Sequence, residues 1–125
     1  MSSKIADIAR SFEEETGHEI SYKEMSCNQF VVAVLKRAVD VNFPSILADD
    51  FPQHTAFSRV TQALAGDLIH WPGHIGIVLN PSTGEFIGSQ TSTGVAVSNY
   101  KQGYWNGEFG GKKPDVFLRH TKTQD

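Results

Sequence analysis

Apolar positions in the first 40 residues recur at helical spacing. Ile5, Ile8, Ala9 and Phe12 share one face of residues 4–14, which predicts a first amphipathic helix broken at Thr16-Gly17-His18. Phe30, Val31, Val34, Leu35 and Ala38 line a second face, with Lys36 and Arg37 off it, and predict a second helix. Its start is marked by Ser26 and, three residues on, Gln29. That pair forms a capping box and puts Cys27 in the first helical turn. Residues 42–58, with Pro44 and Pro52, read as loop or short helical pieces, and a third short helix is expected over 55–64. From Gly66 the pattern changes to strands at 66–71, 74–79, 85–90, 94–98 and 115–119, with a turn at Asn80-Pro81-Ser82-Thr83-Gly84. Helices first and a meander afterwards predict an α+β fold, its N-terminal helices packed on one side of a mostly antiparallel five-stranded sheet.

Size and charge narrow the function. A chain of 125 residues is one domain's worth, so residues 1–125 are expected to form a single domain with its own core. A net charge of -3 argues against a nucleic-acid partner, because no basic excess is present to neutralise phosphates. The single cysteine excludes an internal disulfide and a multi-cysteine zinc site. No apolar run reaches membrane-spanning length, so no membrane insertion is expected. Met1–Asp7 has no signal-peptide pattern either, which predicts synthesis in the cytoplasm and carriage elsewhere by some other means.

Candidate chemistry centres on Cys27. A thiol in a first helical turn faces unpaired backbone N–H groups and the positive end of the helix dipole, and both favour the thiolate that attacks carbonyls. Read alone, it is more often a small buried hydrophobe, and the helix-start position is what raises the functional reading. His74 opens the strand-like His74-Ile75-Gly76-Ile77-Val78-Leu79 and is the expected base. His70 competes with it; His18, His54 and His120 lack a comparable setting. A third group to orient the base is expected on the next strand, Gln90 first and Ser89 second; these two take opposite faces. Among the late aromatics, Trp71 and Trp105 are expected to wall a substrate groove, with core packing as the plain alternative. No metal site or cofactor is expected: His70 and His74 share a four-residue spacing, but Pro72 and Gly73 between them break a helix.

Taken together, Ser26-Cys27-Asn28-Gln29-Phe30-Val31, then Ala65-Gly66-Asp67-Leu68-Ile69, then His74-Ile75-Gly76-Ile77-Val78-Leu79 and Gly84-Glu85-Phe86-Ile87-Gly88-Ser89 resemble the NlpC family of bacterial cell-wall cysteine endopeptidases. The resemblance spans roughly residues 20–105 and rests on the order of the motifs. It implies a papain-like fold and hydrolysis of amide bonds in peptidoglycan stem peptides. It also implies Cys27 as nucleophile, His74 as base, and backbone N–H groups near Cys27 as oxyanion donors. Tyr22, five residues before the cysteine, resembles a family tyrosine that lines the site, and Ser26 is taken as a substrate contact. Two departures stand out. Ser26-Cys27-Asn28-Gln29 replaces the frequent Asp-Cys-Ser-Gly, whose aspartate is associated with binding a free substrate amine, and the family's third polar residue falls near Gly88.

The stretch from Phe86 to Ala96, with Tyr104-Trp105 after it, resembles NlpC-like domains of interbacterial toxins, including type VI secretion effectors and tips of Rhs-type polymorphic toxins. That implies delivery into a rival's periplasm and a cognate immunity protein in the producer. Two alternatives stay open. One is a deamidase, transglutaminase or acyltransferase using the same residues on a protein; the other is a non-enzymatic binding module on a hydrolase scaffold.

Overall fold

The computed structural model describes residues 3–16 and 20–121. Helix α1 spans Lys4–Thr16 and helix α2 Cys27–Ala38. Gly17 and His18, expected to break the first helix, lie outside the described residues. Six strands follow: β1 (Phe57–Val60), β2 (Leu68–Trp71), β3 (His74–Asn80), β4 (Glu85–Gln90), β5 (Gly94–Asn99) and β6 (Val116–His120). Short 3₁₀ helices cover Ala48–Gln53 and Tyr104–Asn106. The result is the α+β architecture that the hydrophobic pattern predicts.

Two details differ. Residues 55–64 do not form a helix; they hold β1, and the short helix lies one segment earlier. The sheet therefore has six strands rather than five. The cause is pairing: Phe57 lies opposite His120 and Val60 opposite Phe117, so a partner about 60 residues away overrides local preference.

All adjacent strands are antiparallel, in the order β1-β6-β2-β3-β4-β5. Strand alternation then separates two apolar clusters. On one face Leu68, Ile75, Ile77, Leu79, Ile87 and Leu118 pack against Phe30, Val31, Val34 and Leu35 of α2, and Ile5 and Ala9 of α1 join them. On the other face Ile69, Trp71, Val78, Phe86 and Tyr100 form a second cluster, covered by Trp105, Phe117 and Ala63.

Asp67 ties the β2 end of the sheet together. Its buried carboxylate accepts from Arg119 of β6 at 2.8 and 2.9 Å and from the Leu64 N–H at 2.7 Å. The Asp of the Gly66-Asp67-Leu68 motif thus closes a turn and joins strands.

Candidate active site

The start of α2 is built by local hydrogen bonds. Gln29 Oε1 accepts from the Ser26 N–H at 2.9 Å, which makes one half of the expected capping box. The Ser26 hydroxyl donates to Asn28 Oδ1 at 2.8 Å, and Asn28 Nδ2 donates to the Ile46 carbonyl at 3.0 Å. The residues that depart from the family's usual sequence around the nucleophile therefore cap the helix and pin the 44–47 loop to it. Ser89 adds a third tie, its hydroxyl donating to the Met25 carbonyl.

Cys27 is the first residue of α2 and is 3% exposed, within the helix-side cluster. Its own N–H and that of Asn28 belong to the first turn, which has no intrahelical acceptors to offer them. Tyr22 packs against the helix-side cluster that holds Cys27, close enough for the sulfur to act on its phenol. Burial chiefly, and then the sulfur beside it, raise the Tyr22 phenol above its ordinary pKa, so the hydroxyl keeps its proton at neutral pH.

His74 is 6% exposed. It lies opposite Trp71 across the β2–β3 pair and shares its face with Gly76 and Val78, away from α2. Its ring stacks on Trp105, with centroids 4.5 Å apart and planes at 18°, and meets Trp71 at 5.4 Å. Nε2 is buried without a hydrogen-bond partner among the described residues. Burial, aided by the charges of Lys112 and His70, pushes the imidazole down to a pKa of about 4. It is neutral at pH 7, the form that accepts a proton.

The structure thus brings Cys27 together with Tyr22, and His74 together with Trp71 and Trp105. Among the described residues no hydrogen bond joins Cys27 to His74. His74 leaves the sheet on the face opposite the one that α2 and Cys27 cover.

The two residues expected to orient the base are occupied elsewhere. Ser89 faces α2 and bonds Met25. Gln90 takes the His74 face, but its amide nitrogen lies 2.7 Å from the Gly88 carbonyl and 3.1 Å from that of Gly94, so it closes the β4–β5 turn. Of the expected substrate contacts, Ser26 is a capping residue. Trp71 is wholly buried and offers no wall to a groove, while Trp105 remains partly exposed.

One cluster was invisible to sequence reasoning. His70 lies on the α2 side of the sheet, 4% exposed. Its Nδ1 meets Asp115 Oδ1 at 2.7 Å and its Nε2 meets Asp49 Oδ1 at 2.9 Å. Both nitrogens can donate only when the ring carries both protons. The same Asp49 oxygen accepts from the Gly73 N–H at 2.7 Å, one residue before His74. That N–H, and then the His70 ring, hold the Asp49 carboxyl below its usual range. Asp49 and Asp115 stand 21 and 45 residues from His70, and no local spacing announces either.

Among the described residues no group of three His, Cys, Asp or Glu side chains is disposed to hold a metal ion.

The fold is an antiparallel sheet with a thiol at the first turn of the helix packed on one face and a buried imidazole on the other. The chain belongs to the NlpC/P60 family, whose model matches residues 14–113. Members of that family are cysteine peptidases and amidases acting on peptidoglycan. No curated protein matches the chain.

Proposed function

We propose that this chain hydrolyses amide bonds in peptidoglycan stem peptides or their cross-links, with Cys27 as nucleophile and His74 as base. The observation that carries the reading is the Cys27 thiol at the head of α2, beside Tyr22 and the first-turn N–H groups. In the reaction His74 takes the thiol proton as sulfur attacks the carbonyl carbon. The tetrahedral oxyanion accepts from the Cys27 and Asn28 N–H groups. The C–N bond then breaks, and the leaving amine takes the proton back from the imidazolium. Water cleaves the thioester and regenerates the thiol. The peptidoglycan substrate is supported by family membership.

The same reading extends to an antibacterial role. The toxin-like stretch from Phe86 to Ala96 and Tyr104-Trp105 supports an effector of type VI secretion. Such an effector acts in the periplasm of a target bacterium, and an immunity protein protects the producer.

Digestion of Gram-negative peptidoglycan, read by mass spectrometry of the muropeptides, tests the enzyme. Wild type is expected to release new peptide fragments. Cys27→Ala is expected to release none while remaining folded. His74→Ala is expected to lose about 10²-fold or more. An unchanged muropeptide profile from folded wild type would move the substrate to a protein and the reaction to deamidation or acyl transfer. Full loss in His70→Ala beside a mild loss in His74→Ala would move the base to His70, which leaves the sheet on the α2 side.

A further inference from the structure

A Cys–His pair needs its imidazole held at one angle, and a hydrogen-bonded third residue usually does this. Here that residue is missing. The matching position is Gly88, and Gln90 and Ser89 are engaged elsewhere. A side chain at Gly88 would have to push past Gln90, because a Cβ there would lie 3.3 Å from the Gln90 amide. His74 Nε2 is buried with no partner among the described residues. Something other than a hydrogen bond must fix the ring.

We propose that Trp105 is the positioning residue for His74, its indole plane doing by stacking what the absent third residue does by hydrogen bonding. The inference rests on the reading of His74 as base.

The geometry fits that task. An interplanar angle of 18° at 4.5 Å leaves the imidazole little room to turn about its Cβ–Cγ bond. Trp71 meets the ring at 51° and also packs on Trp105, with centroids 4.9 Å apart, so the three rings form one cluster.

The indole is itself immobilised. Its backbone carbonyl accepts from Trp71 Nε1 at 3.0 Å, and its ring stands edge-on to Phe86 at 88° and to Tyr104 at 83°. The loop that carries it is closed on Tyr104 O, which accepts from the Gly107 N–H at 3.2 Å and the Lys112 N–H at 2.8 Å. Only glycine fits at 111, because a Cβ there would fall 1.9 Å from that same oxygen. A π face beside the ring also stabilises the imidazolium that forms as the thiol is deprotonated.

The test compares Trp105→Phe with Trp105→Leu, beside His74→Ala. Each is assayed for kcat, KM and the acid limb of the pH profile, and the two Trp105 variants for the His74 ring titration by NMR. Phenylalanine keeps a stacking plane; leucine keeps apolar bulk without one. Trp105→Phe is expected to stay within about threefold of wild type in kcat. Trp105→Leu is expected to lose about tenfold or more in kcat at unchanged KM. With burial kept by leucine and the π face that favours the imidazolium lost, its acid limb and its His74 titration both move further down.

A Trp105→Leu protein altered in KM alone, with kcat, acid limb and ring titration as in wild type, would overturn the proposal and make the indole a substrate wall. An active His74→Ala would instead overturn the base assignment, whatever Trp105 does.

Discussion

His74 spends its life neutral, and that has a cost that pH exposes. Its folded pKa of about 4 lies below the ordinary 6.5. Between those values the unfolded chain binds a proton that the folded protein does not, so this group's contribution to stability falls as pH falls from 6.5 to 4. The contribution lost is on the order of 3 kcal/mol. Urea unfolding of wild type and His74→Phe at pH 7 and pH 4.5 measures it. Wild type is expected to lose more stability than the variant on acidification, and equal losses would show that the ring is not held neutral. Single residues were unevenly legible in the sequence. Cys27 announces itself because its capping signals, Ser26 and Gln29, are one and two residues away, and Tyr22 by its nearness to it. Trp105 is visible as an aromatic but not as the neighbour of His74, because the stack joins residues 31 apart in number through a loop. The Asp49–His70–Asp115 clamp is illegible for the same reason.

At the scale of elements, amphipathic period and capping place both helices, and alternation places β2 to β5 close to their expected bounds. The strand β1 escapes because it is short and its burial pattern shows no clean alternation; only its pairing with β6 makes it a strand. An ion pair reinforces the paired junction of β2 and β6. Arg119→Ala strands the Asp67 carboxylate, whose side chain is 4% exposed, with the Leu64 N–H as its remaining partner. A loss of about 2 kcal/mol is expected, because an unpaired buried charge pays its desolvation without return. Arg119→Lys is expected to recover part of it. Chemical denaturation of the three proteins measures the difference, and an Arg119→Ala protein as stable as wild type would show that water satisfies Asp67.

The whole molecule is a sheet with two unequal coats, helices on one face and aromatic rings on the other. Its topology departs from chain order at one point: β6 lies between β1 and β2. Leu118, wholly buried in β6, is opposite Arg59 on one side and Leu68 on the other. Leu118→Ala is expected to cost about 2–5 kcal/mol and to lower the single thermal transition of the entire protein rather than detach a segment. A biphasic melt would show that β1 and its neighbours unfold as a separate unit.

That placement of β6 also sets a clock on synthesis. While a ribosome is still making this chain, β1 and β2 have emerged with a gap between them that only residues 116–120 can fill. The nascent protein therefore cannot complete its sheet strand by strand. It waits with two open edges until residues 116–120 have cleared the exit tunnel. During that interval the thiol-bearing helix has no finished sheet beneath it, so the site is assembled only once β6 has closed the gap.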